Sequence, residues 1–322
     1  ETRVPQVPGM LLEYLSHQNF ADMRLGLDPD FLFSSSRAIY KGILKFIGKR
    51  DHRDVVVQPL PVNSFAITPK DGGYLLTWAP TVDSLEATAM PTKYVVSERV
   101  GAHGGAFKEI AVVERAEYMA KVTDNEIHSY RIQAMNDGGR SFPSEVLSLG
   151  VAPNSKGTAM VVNAFTRVSA PDWVDEGDFA TFTDETDHGV PYIQGINYIG
   201  SQYEKRRSAG WSDARGGFGS SHSDYEGAVI AGNTFDFPAV HGESLMAAGY
   251  SFVSTSVKAV EQGVAKLEGY KVLDIIAGKQ KETKVGYGAY PSKYKLPSPA
   301  LMQAVENATK TGANVLLTGA YV

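Results

Sequence analysis

A carboxylate, Glu13, follows the apolar run Met10–Leu12 close to the start of the chain, with His17 and then the amide Asn19 just beyond it. Taken alone, Glu13 reads as a carboxylate at a strand end facing water, and His17 as a lone surface histidine, with metal ligation as its alternative. A second set lies in "AGNTFDFPAVHG" at 231–242, where Asn233, Asp236 and His241 bring an amide, a carboxylate and an imidazole to the start of a helix. Free backbone N–H groups at such a start favour an anion or another acceptor. A third set is aromatic: Trp173, Tyr192, Tyr198, Tyr203, Trp211 and Phe218 crowd one irregular stretch. Such rings can stack on sugars, and they can equally pack the stretch onto its support. The pairs Asp184/Glu185 and Asp213/Asp224, with Arg206 or His222, have the composition of acid–base machinery, but no spacing that selects them.

Composition removes several chemistries. The chain has 322 residues and no cysteine, which excludes disulfides, thiolate metal sites and cysteine nucleophiles. Its net charge is -5, against the basic excess expected of a nucleic-acid binder. No apolar run approaches the roughly 18 residues of a membrane span. The first residue is Glu and no signal peptide is evident, so a processed or trimmed piece of a longer protein is expected.

Three regions must position these residues. Residues 1–50 read as a strand over Met10–Leu15, a short helix over "FADMRLG", a turn at Pro29, and a helix capped by Ser34–Ser36 and stopped by Gly48. Residues 58–152 alternate short β-type runs with turn signals, including "DGG" twice, as in an antiparallel sandwich. Residues 157–322 alternate apolar strands with helices and read as a doubly wound parallel sheet. Its expected strands are "TAMVVNAF", "GAVIAGNTF", "YSFVSTS", "KVLDIIAG" and "ANVLLTGAYV", and its expected helices cover 241–249, 257–268 and 298–311. A long insertion at 165–227 leaves the first strand, and a long irregular insertion is more often functional than idle. Ligands of such sheets bind at the C-terminal strand ends, where Asn163, Asn233, Thr234, Asp236, Ser254, Lys279 and Thr318 are expected, with His241 just beyond. "GGFGSS" at 216–221 reads as a flexible loop, since no strand-to-helix turn holds it.

Three resemblances extend this reading. Trp78 in "LLTWAP", Tyr94, and "YRIQAMNDGGRSFPSE" at 130–145 resemble the fibronectin type III family, which implies a spacer or adhesion sandwich with Trp78 and Tyr130 in its core. Glu13, Asn19 and the helix "RAIYKGILKFI" resemble the C-terminal end of zinc-dependent N-acetylmuramoyl-L-alanine amidases, although Leu15–Gln18 depart from the family pattern. That resemblance implies a proton-shuttling role for Glu13 beside zinc in a parent enzyme, with the zinc ligands absent from this chain and no cofactor expected in it. The parallel-sheet region resembles class I glutamine amidotransferases, whose cysteine chemistry is excluded here. The order of the three regions resembles secreted multidomain proteins of Bacteroides-type bacteria labelled xanthan lyases.

Two functions are therefore expected. The first is a fragment of a secreted peptidoglycan-hydrolysing amidase with accessory modules. The second is a non-catalytic cell-surface module, binding glycan or protein and serving a carbohydrate-active, lyase-like protein. Either would place the chain in the bacterial periplasm, at the cell surface or outside the cell. The expected partner is peptidoglycan or another glycan, with no nucleic acid and no membrane span. The expected binding residues are Asn233, Asp236, His241 and Trp211, with Glu13 as the catalytic residue.

Overall fold

The computed structural model of the chain describes residues 9–101, 103–196, 200–281 and 296–322. In chain order the helices are α1 (Phe20–Gly26), α2 (Pro29–Asp51), α3 (Phe237–Ala247), α4 (Val257–Glu261) and α5 (Pro299–Lys310). The first eight strands are β1 (Asn63–Lys70), β2 (Gly73–Ala79), β3 (Lys93–Val100), β4 (Lys108–Val113), β5 (Glu117–Ala120), β6 (Ile127–Asn136), β7 (Gly139–Arg140) and β8 (Leu147–Gly150). The remainder are β9 (Thr158–Asn163), β10 (Trp173–Glu176), β11 (Phe179–Phe182), β12 (Gln194–Gly195), β13 (Ile230–Ala231), β14 (Ser251–Ser256), β15 (Val272–Gly278) and β16 (Asn314–Gly319). The chain divides into two compact units. One takes residues 9–36 and 168–233. The other takes 37–167, 234–281 and 296–322.

The larger unit contains a β-sandwich resembling fibronectin type III domains. One layer is β1-β2-β5 and the other β4-β3-β6-β8, all antiparallel. Alternation of apolar and polar residues turns one face of each layer inward. Trp78 and Tyr130 are both buried there, as expected, and Trp78 lies edge-on to Tyr94 at 5.4 Å and to Phe65 at 6.4 Å. Four parallel strands continue from the sandwich in the order β16-β15-β9-β14. Strand β14 is the seam, since it also pairs antiparallel with β8 at Phe252↔Gly150 and with β1 at Ala66↔Thr255. Along β9, Ala159 and Val161 pack in a cluster with Ala239 of α3, while Met160 and Val162 share a cluster with Leu301 and Ala308 of α5. Adjacent strand residues point to opposite faces, so α3 and α5 lie on opposite faces of β9, while Val315, Leu316 and Leu317 of the edge strand β16 stay exposed. The second cluster also holds Trp78, Tyr130 and Leu273, so sandwich and parallel strands share one core.

Several expected elements differ. Met10–Leu15 forms no strand; Met10 and Leu11 are 69% and 71% exposed. An apolar run becomes a strand only when a neighbour takes up its backbone hydrogen bonds, and none of the described strands pairs with it. Helix α2 starts earlier than expected, because the Asp28 carboxylate caps it, accepting from the N–H groups of Asp30 and Phe31 at 2.9 and 3.0 Å. Pro29 then occupies its first turn, and Ser34–Ser36 lie inside it. Gly48 does not stop the helix. It is buried under Val55, whose Cγ1 would lie 2.4 Å from an added Cβ. "GAVIAGNTF" contributes only the two-residue β13, paired with β12 outside the parallel strands, and the helix expected over 257–268 ends at Glu261. Helix α5 has the expected Ser298 cap, with the hydroxyl accepting from Leu301 N–H, Pro299 in its first turn, and Gly312 beyond its end at φ +95.

Candidate functional site

The smaller unit is built around Phe20. Asn19 caps α1, its Oδ1 accepting from the N–H of Ala21 at 2.9 Å and of Asp22 at 3.4 Å. The cap fixes where the helix begins, and Phe20, Met23 and Leu27 then fall on one face. That face packs on the hairpin β10–β11, whose register sets Trp173 opposite Phe182, with Gly177 at φ +62 in the turn. The Phe20 ring lies 5.0 Å from Phe182, 6.1 Å from Phe218 and 6.5 Å from Trp173. The Arg24 guanidinium covers the outer face of Trp173 at 4.1 Å.

A cavity of about 570 Å³ opens beside this cluster. Phe20, Met23, Leu27, Phe182 and Phe218 give it an apolar floor. His17, Gln18, Gln202 and Ser220 supply polar groups, and Trp211 stands at its wall. Gln202 fixes the geometry. Its Oε1 accepts from the Thr181 hydroxyl at 2.7 Å and from Phe182 N–H at 2.9 Å, and its Nε2 donates to the Gly219 carbonyl at 3.3 Å. The loop at 216–221 is packed: a Cβ on Gly217 would come within 3.2 Å of the Trp211 backbone nitrogen, so glycine lets the two segments approach. Ser220 closes the loop by donating its hydroxyl to the Gly217 carbonyl at 2.6 Å. Trp211 itself is 75% exposed, with its ring unburied by any of these contacts. A concave space of this size, mostly apolar and with a few converging polar groups, is the usual form of a small-ligand site.

The residues singled out in the sequence are distributed as follows. Trp211 lines the cavity. Glu13 is exposed on the segment without regular structure, and does not line it, whereas His17 and Gln18 do. Asn233 is buried in the same unit, its N–H donating to the Pro191 carbonyl and its carbonyl accepting from Ile193 N–H. Asp236 and His241 belong to the larger unit. Asp236 forms a two-pronged ion pair with Arg99 at 2.6 and 2.7 Å, and Arg99 is itself buried and donates to Ser129 Oγ. His241 Nδ1 lies 2.8 Å from Asp274 Oδ2, with the carboxylate buried. Asp236 and His241 are thus engaged by neighbours, and are divided by unit from Asn233 and Trp211. Of the acidic pairs, Asp224 is tied to Ser201, whose N–H lowers its pKa, and burial pushes Asp184 up. Tyr203 packs on His222 at 4.8 Å. Tyr198 lies outside the described residues.

Among the described residues no group of three or more His, Asp and Glu is placed to hold a metal ion, so no step is derived through one. No described helix is long and apolar enough to cross a membrane. Among the cavity residues that the sequence did not single out are Phe20, Phe182 and Gln202. They have no local signature, since the fold alone brings Phe20 to Phe182 and Gln202 to Gly219.

No protein-family model and no curated protein matches the chain. Solved structures do. A twitchin kinase region from C. elegans is 25% identical over 28% of this chain and 16% of its own length, with a TM-score of 0.25. A human FNIII domain is 24% identical over 31% of this chain and 87% of its own, with a TM-score of 0.26. The domain of human fibronectin type III domain containing protein 3 is 22% identical over 32% of this chain and 94% of its own, with a TM-score of 0.27.

Proposed function

We propose that the chain is a non-catalytic module of the bacterial cell envelope that binds a glycan in the cavity beside Trp211. The observation that carries this reading is the exposed indole of Trp211 at the wall of an aromatic-floored cavity with amide and hydroxyl groups at hand. A pyranose ring has apolar C–H faces and polar edges. The faces suit an aromatic surface and the edges suit side-chain amides. The larger unit, with its sandwich and parallel strands on one core, serves as a stable carrier. The amidase alternative assigns Glu13 a role beside a metal held by a parent enzyme, whereas Glu13 here is exposed and does not line the cavity.

The test is retention on immobilised bacterial glycans. Trp211→Ala should weaken retention about ten-fold, the equivalent of roughly 1.4 kcal/mol, while the unfolding midpoint stays unchanged because the side chain is exposed. Equal retention of wild type and variant would reject the assignment.

A further inference from the structure

The charge of the cavity bears on which glycan it takes. Resting on the reading above, we infer that the ligand is a neutral glycan, of hexose or N-acetylhexosamine units, and that uronic acids and other anionic sugars are rejected. Of the described residues lining the cavity, none is Lys, Arg, Asp or Glu, and His17 is the one imidazole. Three cations of the same unit are already paired. Arg24 and Arg207 share Asp175, at 3.6 and 2.8 Å, and Arg206 pairs with Glu204 at 3.2 Å. A carboxylate entering above the Phe20–Phe182–Phe218 floor would shed water and meet no Lys or Arg among the described lining residues, and an uncompensated charge is strongly disfavoured in such a place.

The polar groups that remain match uncharged sugar substituents. Gln202 uses both lone pairs of Oε1 and one N–H of Nε2 inside the protein, which leaves its second N–H as a donor. Ser220 donates its hydroxyl proton to Gly217 and keeps its oxygen as an acceptor. Gln18 offers both kinds of group from an exposed position. A hydroxyl or an acetamido group both donates and accepts, and so can satisfy this mixture; a carboxylate only accepts. The inference separates the cavity from sites built around Arg or Lys forks, which select carboxylates.

The experiment is calorimetric titration of the full chain at one ionic strength with neutral glucose and N-acetylglucosamine oligosaccharides, and with glucuronate and galacturonate oligosaccharides of matched length. The expected result is neutral binding at least ten-fold tighter than uronate binding, lost in Trp211→Ala. Gln18→Lys, which places a cation at the mouth, should narrow that preference by ten-fold or more. Uronate binding as tight as neutral binding, and sensitive to Trp211→Ala, would overturn the inference and leave the glycan site standing. Binding of neither class, or binding indifferent to Trp211→Ala, would overturn the glycan reading and this inference with it.

Discussion

Replacing Glu145 by Gln should make the larger unit more stable at alkaline pH and change little in acid. Glu145 precedes β8 and is half-buried, and its Oε2 accepts from Asn163 Nδ2 at 2.5 Å. Asn163 is fully buried at the end of β9, and its Oδ1 finds no donor among the described residues. Burial pushes the Glu145 carboxyl up from its ordinary 4.5 to about 7, against the opposing pull of the Asn163 hydrogen bond. The folded chain therefore holds this proton more tightly than the unfolded chain does. The stabilisation is present below pH 4.5 and is lost as pH rises from there to about 7. The full difference corresponds to about 3 kcal/mol, which partial solvent access reduces to about 2 kcal/mol. Gln cannot ionise, keeps an acceptor for Asn163 Nδ2, and carries a donor of the kind Asn163 Oδ1 lacks. Urea unfolding of wild type and Glu145→Gln at about pH 5 and pH 8.5 measures the effect. The gap between the two proteins should widen by about 2 kcal/mol between those conditions. Because other titrations are common to both proteins, parallel stability curves across this range would refute the argument.

Trp78→Ala should lower stability by about 3–5 kcal/mol in denaturant unfolding, since it empties a space between Phe65 and Tyr94 in the sandwich core. His128 loses charge stability by burial, but Glu98 at 2.8 Å and Asp124 at 2.9 Å outweigh this and hold its pKa above the ordinary 6.5. Its contribution is therefore complete below pH 6.5 and is lost as pH rises through the folded value, which an NMR titration of the ring should show, and His128→Gln should remove that part of the pH dependence. Gly242→Ala should destabilise α3 by about 1–3 kcal/mol in thermal or urea unfolding, because the new Cβ would stand 2.1 Å from the Phe252 ring.

The sandwich was legible because alternating strands and glycine turns repeat at short spacing, and Trp78 and Tyr130 stand where a two-layer core needs large side chains. Helix α5 was legible for a related reason: Ser298, Pro299 and Gly312 each solve a local problem of a helix end. The failures came where an apolar run had to find a partner. Met10–Leu12 and "GAVIAGNTF" carry the composition of buried strands, yet the first pairs with no described strand and the second offers only Ile230–Ala231. Composition states that burial is favourable, while pairing depends on distant chain. The cavity was half legible for the same reason. Trp211 stood out by type, but its floor joins Phe20 to Phe182 and Phe218 across most of the chain, and Gln202 acts through bonds to Thr181, Phe182 and Gly219 that no local pattern encodes.

Glycan binding as proposed requires contact with Trp211. The chain has three tryptophans, with Trp78 buried in the sandwich and Trp173 covered by Arg24. Their indole N–H signals can therefore be followed separately by NMR while a neutral N-acetylglucosamine oligosaccharide is added. On addition of the oligosaccharide the Trp211 signal is expected to shift in a saturable manner while the Trp78 signal stays in place. A Trp211 signal that stays fixed at saturating oligosaccharide would contradict the proposed binding.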